Sequence, residues 1–322
     1  MSYYIINEKF NNKFINFMQR ESYESPTGSQ INLYSLLPAN DIRGVVHVTH
    51  GMAEHSLRYS RFALELSAAG FAFFTHDMRG HGKTVASDAP QGVFAKSDGF
   101  NMVLKDQNEI INLIKDRLPN KPIICFGHSL GSIINLNYAL KYPNQLNALA
   151  CWNSGIETGP LPKLSRLILA IEGFLRNQNL PSLIAWKLSF EAWNLKFKPN
   201  RTKYDWLSQD EKEVDLYVND PLCGFEVSIS MWRDVLDGVF YAGNKNNLKK
   251  LPKNLPVHII GGSEDPCTIN GSDMEKLAVK LINNGLSDVT CNILENTRHE
   301  SLNEINRDKT TEQFIKWLND RF

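Results

Sequence analysis

An α/β fold, with a mainly parallel sheet covered by helices on both faces and interrupted by one helical insertion, is predicted by three observations. Six short apolar runs are separated by stretches with helical spacing. Strands alternating with helices require a parallel sheet buried on both sides. One segment, 156–223, breaks that alternation. At 322 residues the chain is long enough for one such domain with an insertion.

The elements follow in order. Met1 to Arg20 mixes Asn, Lys, Glu and aromatics and never forms the uninterrupted apolar stretch of an export leader. Gln19 to Glu24 and Gln30 to Leu37, joined by Ser25-Pro26-Thr27-Gly28, read as an antiparallel hairpin on one edge of the sheet. Buried strands are expected at Gly44 to Thr49, Phe71 to Thr75, Pro122 to Phe126, Leu146 to Trp152, Val257 to Ile260 and Val289 to Leu294. Helical patterns cover Tyr59 to Ala69, Gly99 to Leu118 and Thr268 to Asn284. From Ile156 to Cys223 there is no strand pattern, Leu, Trp and Phe recur at helical steps, and Pro160, Pro162, Pro181 and Pro199 punctuate the run. This reads as a helical cap, 156–223, between two parts of a core, 1–155 and 224–322. Asp220-Pro221 marks the return, because a residue before proline disfavours helix. Ligand crevices in open α/β sheets lie beyond the carboxyl ends of the strands, so an insertion leaving such an end is placed as a lid.

Composition narrows the function classes. A formal net charge of +0 argues against a whole-protein attraction to nucleic acid or anionic lipid and leaves only a local charged patch open. No run approaches the length that spans a bilayer. The five cysteines are odd in number, and Cys125, Cys151 and Cys291 fall in predicted core strands, as free thiols acting as apolar fillers would. A reducing, cytoplasmic setting is expected. No obligate protein partner is evident.

The chemistry centres on Gly127-His128-Ser129-Leu130-Gly131, which follows the strand Pro122 to Phe126 and precedes the helical run from Ser132 to Leu140. Strand, sharp turn, helix is the setting of a G-x-S-x-G nucleophile elbow, with the serine hydroxyl standing clear of its backbone. Such a serine needs a base to take its proton and a carboxylate to orient that base. Two later strands end in Gly262-Ser263-Glu264-Asp265 and Glu295-Asn296-Thr297-Arg298-His299, on the same rim as Ser129. The order Ser, Asp/Glu, His is the one that elbow hydrolases use. His47 and His258 sit within strands, His50, His55, His76 and His81 precede the elbow, and His128 adjoins the serine, which leaves His299 as the base. Asp265 and Glu264 both qualify by position as the acid. The oxyanion requires amide donors, and the candidates are the Leu130 N–H behind the nucleophile and the Met52 N–H in the loop after Gly44 to Thr49. No metal or organic cofactor is called for.

Five segments together, His50-Gly51-Met52-Ala53-Glu54-His55 with Arg58-Tyr59, Asp77-Met78-Arg79-Gly80-His81-Gly82, Gly127 to Gly131, Gly262 to Asp265, and Arg298-His299-Glu300, resemble the monoacylglycerol lipase and lysophospholipase branch of the α/β-hydrolase fold. The resemblance covers nearly the whole chain outside the insertion. It implies a Ser129, Asp265, His299 triad, choosing Asp265 over Glu264, oxyanion donors at Met52 and Leu130, and a helical cap over an acyl pocket. Glu264 is then a solvated loop charge. The Glu-His and Arg-Gly-His-Gly segments look like structural braces. Ser132 stands where the family usually carries a second glycine, and some crowding is expected there.

Within the cap, Leu161, Leu164, Leu167, Ile168, Ile171, Phe174 and Leu175 form an apolar helical stripe beside Lys163, Arg166 and Arg176. Packing of the cap against itself and the core is the leading expectation; lining an acyl pocket and peripheral contact with a membrane are the others. Trp186, Phe190, Trp193, Phe197 and Trp206 are expected to be cap core rather than a ligand cage. The activity expected is a serine hydrolase cleaving carboxylic esters through an acyl-enzyme, with monoacylglycerols or lysophospholipids as the preferred class. Alternatives are a proline-iminopeptidase-like peptidase or an acyltransferase on the same triad, and, from another class, a weakly catalytic receptor or scaffold.

Overall fold

The computed structural model describes residues 18–322, so all but the last three positions of the Met1 to Arg20 reading lie outside the described residues. Among the described residues nine strands form one sheet. In chain order they are β1 (Gln19–Glu24), β2 (Ser29–Leu36), β3 (Gly44–Thr49), β4 (Phe71–His76), β5 (Val85–Ala86), β6 (Ile123–His128), β7 (Ala148–Trp152), β8 (Val257–Gly262) and β9 (Val289–Leu294). Their spatial order is β1-β2-β4-β3-β6-β7-β8-β9, with β5 beside β2. The β1/β2 hairpin pairs antiparallel and joins β4 antiparallel, while every pair from β4 to β9 is parallel. Because β4 and β6 flank β3, the order reverses at β3/β6, and a crevice opens beyond the carboxyl ends of those two strands.

Side chains of a strand alternate between its faces, and the apolar runs divide accordingly. Val45, Cys125, Leu149, Cys151, Val257 and Ile259 face one layer, while Val46, Val48, Ile124, Phe126, Trp152 and Ile260 face the other. The second layer holds α1 (Ser60–Ala68) and α9 (Arg307–Asn319), through Phe62, Leu66, Phe314 and Trp317. The first layer holds α2 (Gly99–Arg117), α3 (Leu130–Lys141), α7 (Ile229–Ala242) and α8 (Ser272–Asn283). The edge strand β9 departs from expectation. It is only partly buried, and Cys291 packs against the core from a partly buried position, unlike the fully buried Cys125 and Cys151.

Between β7 and α7 lie α4 (Pro160–Leu175), the single turn α5 (Leu183–Trp186) continuing into a π-turn over Lys187–Glu191, and α6 (Glu211–Asn219). The leading expectation for the α4 stripe is overturned. Leu161, Leu164, Leu167, Ile171, Phe174 and Leu175 are all exposed, Phe174 at 88%, and only Leu169 and Glu172 of this helix are buried. The helix rests on α7 by one narrow edge, so most of the stripe meets no partner within the described residues.

On α7, burial and the neighbouring Asp237 and Asp98 carboxylates push the Asp234 carboxyl up to about 7, against the Phe100 amide. Between its ordinary 3.8 and about 7 this group holds a proton in the folded protein that it has lost in the unfolded chain. Its stabilisation is therefore full below the lower value, falls as pH rises, and is lost above the upper one. Asp234→Asn is expected to raise the melting temperature near pH 8 and to leave it almost unchanged near pH 4, as thermal scans at the two pH values would register.

Candidate active site

Ser129 occupies the turn between β6 and α3 at φ 53° and ψ −118°, a conformation that strains any residue with a Cβ. Two glycines make the turn possible by close approach. A Cβ at Gly127 would overlap the Gly131 backbone, and one at Gly131 would overlap the Thr49 carbonyl of β3. Ser132 does not crowd the elbow as expected; it ties it together. Its hydroxyl lies 2.6 Å from the Gly127 carbonyl and 2.9 Å from the Trp152 carbonyl, and accepts the Trp152 amide at 2.9 Å. A glycine there could make none of these bonds.

The loops after β8 and β9 bring Asp265 and His299 to the same rim. His299 Nε2 is 2.9 Å from Ser129 Oγ, and His299 Nδ1 is 3.0 Å from Asp265 Oδ1. Asp265 is fully buried and also accepts from the Cys267 amide (2.9 Å), the Thr268 hydroxyl (2.9 Å) and the Asn153 amide group (3.3 Å). Burial alone would raise its pKa; His299 and these donors outweigh burial and hold the carboxyl below its ordinary value. Glu264 points instead toward Gln209 and Arg298, half in solvent.

The other histidines are occupied elsewhere. His47 Nε2 meets His76 Nδ1 at 3.0 Å, leaving His47 Nδ1 without a partner, so this imidazole is less satisfied than expected. His258 accepts from the Trp152 indole, His50 accepts the Met78 amide, His55 pairs with Asp220, and His81 bonds the Arg79 carbonyl. His128 faces Glu54 and reaches the His299 carbonyl at 3.0 Å, bracing the base's loop from below.

Met52 and Leu130 both border the cavity over Ser129, and neither backbone amide is engaged by another group among the described residues. The loop carrying Met52 is anchored by Glu54, whose Oε1 accepts the Gly51 amide (2.5 Å) and the Tyr59 hydroxyl (2.9 Å). Arg58 donates to Glu54 and, through both terminal nitrogens, to Glu300, each at 2.6 Å. The Arg58 guanidinium thus bolts the Met52 loop to the residue beside His299. Despite burial, Arg58 and His128 hold the Glu54 carboxyl well below its ordinary range. The Glu-His segment is a brace, as the resemblance implied, but Glu300 as its far anchor was not foreseen. Separated by 242 positions, Arg58 and Glu300 carry no local pattern that could pair them. Arg58→Met leaves the buried Glu300 without a cation and Glu54 with His128 alone, and is expected to cost about 3–5 kcal/mol of unfolding free energy, measurable by urea titration.

Two groups of three potential metal ligands have their atoms within 4.8 Å of one another among the described residues: Asp265, Cys267 and His299, and His55, Asp220 and Cys223. In the first, both imidazole nitrogens are already engaged. In the second, His55 Nε2 is taken by Asp220, and burial pushes the Cys223 thiol up, keeping it protonated.

A cavity of about 590 Å³ stands over Ser129. Its floor is core (Leu130, Ile133), and its walls include Ile168 and Leu169 of α4 and Leu188 of the π-turn. Here the aromatic expectation needs correcting. Phe190 and Trp206 are buried in the cap's own cluster, yet with Trp193 they also face the cavity, and Trp206 lies against the His299 ring at 4.8 Å.

The model of the family described as serine aminopeptidase, S33, matches residues 40–306. The chain belongs to this family of serine hydrolases. Among relatives of the family, a monoglyceride lipase homolog from monkeypox virus is 28% identical over 224 residues, 69% of this chain and 71% of that protein. The rat monoglyceride lipase is 25% identical over 230 residues, covering 71% and 67% respectively. Solved structures under 25% identity confirm the α/β-hydrolase fold. A thermostable carboxyl esterase of Bacillus coagulans superposes with a TM-score of 0.84 at 24% identity over 94% of this chain and 98% of its own. A soluble variant of the Saccharomyces cerevisiae monoglyceride lipase gives 0.71 at 21%, covering 94% of each.

Proposed function

We propose that the protein hydrolyses carboxylic esters of lipid alcohols, with monoacylglycerols or lysophospholipids as the preferred class. The observation that carries this reading is the hydrogen-bonded run Ser129–His299–Asp265 opening onto a mainly apolar cavity of acyl-chain size. Ser129 Oγ attacks the acyl carbon as His299 Nε2 takes its proton, and Asp265 keeps the Nδ1 proton facing it and stabilises the imidazolium. Charge developing on the carbonyl oxygen falls to the Met52 and Leu130 amides. Collapse expels the alcohol, protonated by His299, and a water activated by the same imidazole then releases the acid. Residues 156–223 serve as the cap, with α4 and the π-turn as its acyl wall, and contact with a lipid surface is peripheral, through that cap. The free cysteines favour a reducing, cytoplasmic setting.

The family's description favours a second reading, aminopeptidase activity. That chemistry needs an unpaired carboxylate to hold a substrate ammonium beside the serine. Each carboxylate bordering the cavity is already matched: Glu54 and Glu300 by Arg58, Glu157 by Lys280, Asp273 by Lys276. Assay against p-nitrophenyl esters, monoacylglycerols, lysophospholipids and aminoacyl amides decides between them. Turnover of the lipid esters, with amides at background, is expected; amides hydrolysed faster than every ester would overturn the reading.

A further inference from the structure

We infer that Trp206, carried by the cap, is a positioning residue for the hydrolytic step: its indole covers the ring of His299 and steadies the imidazolium that forms when Ser129 gives up its proton. This rests on the serine-hydrolase reading above, and it gives the cap a part in the chemistry beyond walling the cavity.

The two ring centroids are 4.8 Å apart, the planes are tilted by 40°, and both side chains are buried. As Ser129 Oγ bonds the acyl carbon, its proton passes to His299 Nε2, and the imidazole, neutral until then, carries a positive charge until it gives that proton to the leaving alcohol. The face of an indole attracts a cation within about 6 Å of its centre, most strongly where water is excluded. A neutral ring gains much less. The contact therefore favours the transition state over the resting enzyme, and it acts on kcat.

The register of the two rings is fixed by their neighbours in sequence. Arg298, just before the base, donates through Nη1 to the carbonyl of Asp205 (2.6 Å), just before the indole, and to that of Ser208 (3.0 Å). Glu300, just after the base, donates its amide to the carbonyl of Leu207 (2.7 Å), just after the indole. The Ser208 hydroxyl donates to the Asn303 carbonyl at 2.8 Å, and the Gln209 amide to Glu304 Oε1 at 3.1 Å. Residues 205–209 of the cap are thereby stapled to the loop after β9, and indole and imidazole are held as one body.

Packing alone does not explain the residue type. Trp206 also meets Phe190 and Trp193, at 5.2 and 4.9 Å between centroids, contacts that another apolar side chain could make. Its indole N–H is buried and has no acceptor among the described residues, a cost that leucine or phenylalanine would avoid. A large electron-rich face against a ring that becomes charged is what tryptophan supplies best.

Steady-state kinetics on p-nitrophenyl acetate, whose acyl group is too short to fill the cavity, tests this. Both halves of the reaction use His299, so kcat reports the contact whichever is slower. Trp206→Leu is expected to lower kcat about ten- to thirtyfold, the rate equivalent of one desolvated cation–π contact, with KM within about twofold of wild type. Trp206→Phe should recover most of that loss. Trp186→Leu, which removes a ring from the same cluster away from His299 and the cavity wall, should leave kcat within about twofold. Site-specific exchange of Trp206 for mono-, di- and trifluorotryptophan keeps the shape of the side chain while draining electron density from its face. Log kcat is expected to fall in step with the number of fluorines, at an unchanged thermal midpoint. A flat fluorine series, a Trp206→Leu enzyme as fast as wild type, or a Trp186→Leu enzyme as slow as Trp206→Leu would overturn the inference. Fluorophosphonate labelling of the wild type, run alongside, keeps the two readings apart. Without labelling of Ser129 the hydrolase reading itself falls; with labelling and a flat fluorine series, the role of Trp206 falls alone.

Discussion

Ser129→Ala is expected to lower kcat on a short-chain p-nitrophenyl ester by a factor on the order of 10⁵–10⁶, with the thermal midpoint nearly unchanged. The size of the loss follows from the role. Without the hydroxyl no acyl-enzyme can form, and only the Met52 and Leu130 amides and the cavity remain to assist attack by water. The small effect on stability follows from the contacts. Among the described residues the Ser129 hydroxyl bonds only to His299 Nε2, which faces the cavity and can turn to water. Alanine bears the same positive φ as serine, so the strain of the elbow is unaltered. Kinetics and thermal scans on the same preparation separate the two effects.

Asp265→Asn is expected to lower kcat about 10⁴-fold, again with the fold retained. In the wild type one carboxylate oxygen accepts from the His299 ring and the Cys267 amide, and the other from Thr268 and Asn153. An asparagine must place an NH₂ on one of these two sides. Turned toward His299, it requires an unprotonated Nδ1, which moves the ring proton to Nε2 and leaves Ser129 facing a donor instead of a base. Turned the other way, it sets its NH₂ against the Thr268 and Asn153 donors. A serine-specific loss of kcat with KM nearly unchanged is the signature to look for, because the carboxylate touches the base and not the substrate.

The sheet, its flanking helices and the elbow were legible because each rests on a local pattern: apolar runs of strand length, helical spacing, and small residues at fixed offsets around Ser129. His299 followed from chain order, and Asp265 needed the family resemblance to separate it from Glu264, since two adjacent carboxylates at a strand end look alike until a partner selects one. Long-range partnerships were not legible. Nothing near Arg58 announces Glu300, and nothing in Ser132 announces that its hydroxyl will bridge β6 and β7. The α4 stripe was misjudged for a related reason. Periodicity shows that a helix has an apolar face, but what covers that face depends on neighbours far along the chain, and here α7 covers only its edge.

The account stands on Ser129 being a nucleophile activated by His299. Peptide mapping by mass spectrometry after reaction with a fluorophosphonate tests this most directly. The phosphonyl adduct is expected on Ser129 alone, absent from Ser129→Ala and slowed by orders of magnitude in His299→Ala. An adduct on another residue, or labelling of Ser129 at an undiminished rate in His299→Ala, would contradict it.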